Sequence, residues 1–174
     1  MAPSTARKPG IRVSRDYVAE NPGADPTATE LVINAIAVGQ WLSHRLDEIL
    51  RPHGITSGSF AVLQIVAGDP EPVTPSQIVS RAIVPVTSAT VTGLLDTLER
   101  RGLVERQRHP TDRRKVMVIL TDDGRALLDA VNPLVVEGEK RWTAALTKAE
   151  RRTTTDALGK LGEHLLAADA TSSA

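Results

Sequence analysis

These 174 residues encode a mainly α-helical chain that carries one short β-hairpin. Three observations point there. Apolar residues recur at helical spacing through most of the chain, as in Leu31, Ala35, Val38, Leu42, Leu46 and Ile49. Helix-start signals precede other such stretches, Thr74-Pro75-Ser76-Gln77 and Thr147-Lys148-Ala149-Glu150 being the plainest. Only Val104 to Leu120 reads as a pair of strands joined by a polar turn.

Residues 1–28 hold Pro3, Pro9, Pro22 and Pro26 among small polar residues and read as a poorly ordered arm or a pair of short turns. Arg7, Lys8, Arg12 and Arg15 make this arm basic, which leaves three roles open: a solvated tail, an auxiliary DNA arm or a dimer strap. A long first helix follows and Pro52 closes it. From Leu31 to Val38 that helix is apolar nearly all round, whereas a helix on a monomer's surface needs a polar face. Thr56 caps a second helix through Ala67, and the Thr74 capping box starts a short third one.

The fourth helix begins near Thr87, after Pro85, and gathers Val91, Leu94, Leu95 and Leu98 on one side. Its other side presents Ser88, Ala89, Thr90, Thr92, Gly93 and Asp96, short side chains that let a backbone approach closely. Gly102 stops the helix, and Leu103-Val104 turns the chain back to the core. The strands Val104 to Arg108 and Lys115 to Leu120 flank a charged tip. Thr121, with Asp122 and Asp123 behind it, caps a long fifth helix that Pro133 and Gly138 should bend. Thr147 opens a sixth helix, striped by Leu158, Leu161 and Leu165, and the tail 169–174 should fray.

Charge narrows the function. Between Arg100 and Lys115 lie seven basic residues against Glu105 and Asp112, on a chain whose 21 basic and 21 acidic residues cancel overall, so the remainder holds 14 basic against 19 acidic residues. A strongly basic patch on a mildly acidic body fits a polyanion-binding edge, because counterion release rewards clustered cations. Four aromatic residues in all argue against base stacking on a single strand and leave duplex DNA open. The absence of cysteine excludes disulfides and thiolate metal sites. Neither a secretory signal at Met1 to Gly10 nor an apolar run of bilayer length is present, so a soluble, cytoplasmic protein is expected. No phosphate-cradling glycine loop, nucleophile elbow or metal-spaced histidine set occurs, so neither an enzyme nor a cofactor or metal site is expected.

Helix, short helix, turn, helix and hairpin together order themselves as a winged helix-turn-helix with long terminal helices. In that arrangement Thr87, Ser88, Thr90 and Thr92 face the major groove, while Arg106, Arg108, Arg113, Arg114 and Lys115 serve phosphates or an adjoining narrow minor groove. A protein-interaction module whose basic wing meets an acidic partner is the competing reading.

Gly54-Ile55-Thr56 with Phe60-Ala61-Val62-Leu63, the run from Thr90 through Leu94-Leu95-Asp96 to Arg106, and Asp112-Arg113-Arg114 leading to Leu120-Thr121-Asp122-Asp123-Gly124-Arg125 resemble the MarR (multiple antibiotic resistance regulator) family. The resemblance covers residues 30–168. It implies a homodimer joined by the first, fifth and sixth helices, bound to a pseudo-palindromic operator as a repressor that a small ligand releases. It sets the DNA-binding lobe at 56–120 within a domain 29–168 and the dimerisation helices at 29–52 and 121–168. Arg114 resembles the wing residue that enters the minor groove, and Asp112 the carboxylate that orients the tip. Ser88 and Gly93 stand where the family often has basic residues, which shifts affinity toward the hairpin arginines. For a small aromatic or anionic effector, the available chemistry is Trp41, His44, Arg45, His53 and Phe60, with core or dimer packing as the plainer role for Trp41.

Overall fold

The computed structural model describes residues 10–108 and 115–172. Its elements run α1 (Arg15–Glu20), α2 (Pro26–Leu50), a 3-10 turn (Arg51–His53), α3 (Ser57–Ala67), α4 (Pro75–Arg81), α5 (Ser88–Arg100), β1 (Val104–Arg108), β2 (Val116–Leu120), α6 (Asp122–Trp142) and α7 (Lys148–Ser172). The chain divides into two compact units, Met1–Asp129 and Ala130–Ala174.

Local chemistry sets most boundaries in the first unit. The Thr74 hydroxyl accepts from Gln77 N while the Gln77 amide oxygen accepts from Thr74 N at 2.7 Å, completing the expected capping box of α4. Thr56 caps α3 through Ser59 N, and Asp47 reaches from α2 to accept from Ser57 N at 2.9 Å. Thr87 caps α5 through Thr90 N. Gly102, at φ 69°, ends it in the left-handed region that glycine enters without steric cost. A fully or nearly fully buried core of Leu50, Leu63, Ile78, Val91, Leu95 and Leu98 joins α2 through α5.

The hairpin is a two-stranded antiparallel sheet in the register Val104↔Leu120 to Arg108↔Val116. Val73 extends it unexpectedly. Its N–H donates to Val118 O at 3.1 Å and its carbonyl accepts from Val118 N at 2.7 Å, tying the lead into α4 to the hairpin. A single bridging residue has no periodicity, so the sequence carries no strand signal there.

Three boundaries differ from expectation. The arm contains the helix α1, and residues 11–13 lie against α2: Ile11 N donates to Asn34 Oδ1 at 2.8 Å and Val13 N to Glu30 Oε1 at 3.0 Å. α2 itself begins at Pro26, because Asp25 caps it by accepting from Thr27 N and Ala28 N. At the other end α7 continues to Ser172, into the stretch expected to fray.

In the second unit α6 runs through Pro133 and Gly138 without interruption. The Thr147–Glu150 capping box starts α7: Thr147 N donates to Glu150 Oε2 at 2.7 Å and Glu150 N to Thr147 Oγ1 at 3.3 Å. The Thr147 hydroxyl, donating to Glu150 Oε2 at 2.7 Å, and then Thr147 N hold the Glu150 carboxyl below its ordinary pKa. No described helix is long and apolar enough to cross a membrane.

Candidate nucleic-acid interface

α5 packs on α3 and α4 with one side and meets β1 with its C-terminal half, so its remaining side is turned out. Ser88, Ala89, Thr90, Thr92, Gly93 and Asp96 are all exposed there, whereas Val91, Leu95 and Leu98 are buried. The split follows the helical period and gives the hydroxyl-rich face foreseen from sequence.

The hydroxyls on that face are not equivalent. Thr92 Oγ1 donates to Ser88 O at 2.8 Å, so its proton is engaged, and this exposed residue keeps a lone pair and a methyl group for outside contacts. Such a group accepts from a base amine or packs on a thymine methyl, and has no proton for a phosphate. The Thr87 and Thr90 hydroxyls share one hydrogen bond of 2.9 Å, which leaves one of their two protons for an outside acceptor. Around Gly93 an added Cβ meets nothing within 4 Å.

The basic residues sort differently from their sequence grouping. Arg108 is exposed on β1, and Lys115, exposed just ahead of β2, lines a depression with Pro72, Pro75 and Gln77 at the start of α4. Arg101 is occupied with the fold: its guanidinium donates to the Gly54 carbonyl and, at 3.0 Å, to the His53 carbonyl. Arg106 is held by Asp96 at 2.5 Å and by Glu99 at 2.9 Å, with its side chain 23% exposed. Burial works against the charge of Arg106, but hydrogen bonds to Asp96 and Glu99 outweigh it and leave the pKa above the ordinary arginine value. Sequence alone groups Arg106 with the residues that serve DNA and does not single out Asp96 and Glu99 as its partners. Their i, i+3 spacing on α5, a tight turn away from Arg106, is the signal that was there to find. Asp112, Arg113 and Arg114, with the rest of the tip, lie outside the described residues.

The five residues considered for an effector are placed unequally. Trp41 is exposed on α2, and His44 and Arg45 next to it share the carboxylate of Glu48, at 3.3 and 2.8 Å. The Arg45 hydrogen bond is the main reason that the Glu48 carboxyl sits below its ordinary pKa. His53 is half-buried in the 3-10 turn and Phe60 is buried in the core. No cluster of histidine and carboxylate groups able to hold a metal occurs among the described residues.

Comparison with known proteins fits this arrangement. A model described as MarR family matches residues 53–115, the stretch from the 3-10 turn to the threshold of β2. The HTH-type transcriptional repressor YetL of Bacillus subtilis is 32% identical over 111 residues, which span 63% of this chain and 65% of YetL, a little under two thirds of that relative. The HTH-type transcriptional regulator PecS of Dickeya dadantii is 30% identical over 139 residues, covering 78% of this chain and 82% of PecS. Among solved structures, a mutant of MarR from E. coli complexed with operator DNA superposes with a TM-score of 0.70 at 29% identity, covering 85% of this chain and 99% of that one. Matching helices, hairpin and identity thus converge: the chain belongs to the MarR family of winged helix-turn-helix transcriptional regulators, which are not enzymes.

Proposed function

We propose that this chain acts in the cytoplasm as a homodimer that binds a pseudo-palindromic operator and represses transcription until a small ligand releases it. The observation that carries the reading is the exposed face of α5, rich in hydroxyls and bare at Gly93, beside a hairpin that carries the basic run. α5 enters the major groove, where Thr92 offers an acceptor and a methyl group to base edges and Thr87, Ser88 and Thr90 meet bases or phosphates. Arg108, Arg113, Arg114 and Lys115 anchor phosphates, Arg114 reaches the narrower groove, and Asp112 orients it. The exposed apolar residues of α2, among them Leu31, Ile36 and Val38, belong to the contact with a second copy.

Selection from a pool of randomised duplexes tests this reading. An inverted repeat should emerge, and its binding should weaken with salt, each neutralised phosphate adding about −0.9 to the log–log slope. Arg114→Ala should cost about 1–3 kcal/mol of affinity with the dimer intact. Affinity that is flat in salt, or recovery of no preferred duplex, rules the reading out. For the effector, aromatic carboxylates titrated into a Trp142→Phe background should change Trp41 fluorescence and weaken binding to the selected duplex together.

A further inference from the structure

Arg106 stands at the junction of the two elements assigned to DNA. Its Nη1 contacts Asp96 and Glu99, and its Nη2 donates to Thr92 O at 3.3 Å. Its own backbone N–H donates to Glu99 Oε1 at 3.2 Å, so Glu99 grips both the main chain and the side chain of β1. Thr92, Asp96 and Glu99 rise along one line of α5, at i, i+4 and i+7, and the guanidinium fork spans them. Arg106 is also paired in register with Val118, the residue that bonds Val73 ahead of α4. The root of the wing is thereby fixed to both helices of the helix-turn-helix.

We propose that Arg106 is a positioning residue: with Asp96 and Glu99 it fixes the hairpin against the recognition helix, and it neutralises no phosphate. Its guanidinium is already matched by two carboxylates, and moving it to a phosphate would strand both of them beside a polyanion. Two elements reading adjoining grooves bind one sequence well only when their spacing is set beforehand. The triad therefore governs discrimination between duplexes rather than attraction to DNA in general. This inference rests on the DNA-binding reading above.

The test measures the full chain against two probes, the duplex selected by the wild type and the randomised pool. Arg106→Ala, Arg106→Lys and the double variant Asp96→Asn/Glu99→Gln should each bind the selected duplex about tenfold more weakly or worse. Their affinity for the pool should stay close to that of the wild type, or rise for the double variant, which sheds two negative charges. A residue needed only for stability would leave the ratio of the two affinities unchanged. Should Arg106→Ala fail to fold, the lysine variant, which keeps charge and stem, and the double variant, which keeps the arginine, give the same reading. The proposal is overturned by equal weakening on both probes with rescue by lysine, or by tighter binding of the double variant to the selected duplex. Wild type that binds both probes alike defeats the DNA-binding reading itself, and this inference with it.

Discussion

Glycines that look alike in the sequence have opposite roles once packed. A Cβ added at Gly124, in the first turn of α6, would lie 2.1 Å from the Leu103 carbonyl oxygen and 2.7 Å from Leu120 Cδ1. Thr121 tightens the same junction, its N–H donating to Leu103 O at 3.2 Å and its hydroxyl to Gly102 O at 2.6 Å. Gly124→Ala must push the start of α6 away from β1, and a cost of about 1–3 kcal/mol is expected in urea unfolding. Gly93 is the reverse case, in open space on α5, where alanine should add about 0.5–1 kcal/mol of stability by the same measurement. Local propensity exposes the second effect and hides the first, because what Gly124 avoids is a carbonyl brought in from Leu103 by the fold. Arg106 repeats the lesson in charge. Composition locates a basic cluster but cannot tell a cation open to phosphate from one held by Asp96 and Glu99.

Elements that announce themselves through caps were legible, and those that depend on partners were not. Thr56, Thr74, Thr87, Thr121 and Thr147 each begin a helix where a hydroxyl can accept an orphan N–H, so the helix order and the outward face of α5 followed from sequence. The same logic at Asp25-Pro26 was masked by the proline-rich arm around it, and α2 starts earlier than expected. The segment before α1 has no periodicity of its own. It is placed by Glu30 and Asn34, which are visible as partners only once α2 exists. That tether carries a pH signature. Hydrogen bonds from Val13 N and Arg12 lower the Glu30 pKa below its ordinary value. A depressed carboxylate pKa stabilises the tether above the unfolded value and is lost as pH falls through the folded one. The Val13 amide shift should therefore titrate with Glu30 in acid, while the Ile11 amide, held by uncharged Asn34, should not follow the same curve. Coincident titration of both amides would mean that the segment is released as a unit.

At the scale of the whole molecule the question is what covers α2. Leu31 is 52% and Ile36 57% exposed, and Val32, Val38, Trp41 and Leu42 are exposed with them. A stable monomer rarely leaves so contiguous an apolar surface in water. α7, in the second unit, likewise exposes Leu158, Leu165 and Leu166. Periodicity reveals the excess on α2 because an all-round apolar helix has no polar face; the second copy that covers it in the proposed dimer is not legible in one chain. Two-fold pairing through α2 would also give the operator its symmetry, since a dimer presents its recognition helices to half-sites about one helical turn, roughly 34–36 Å, apart. Ile36→Glu separates these effects. The side chain is exposed in the single chain, so the substitution should leave the helix content of the chain unchanged while placing a charge at the proposed partner contact. Light scattering after size exclusion should report a monomer, and affinity for the selected inverted repeat should fall to that for a single half-site. If the variant stays dimeric with full affinity, α2 is not the surface that pairs the copies, and the partner contact must be sought on the exposed leucines of α7.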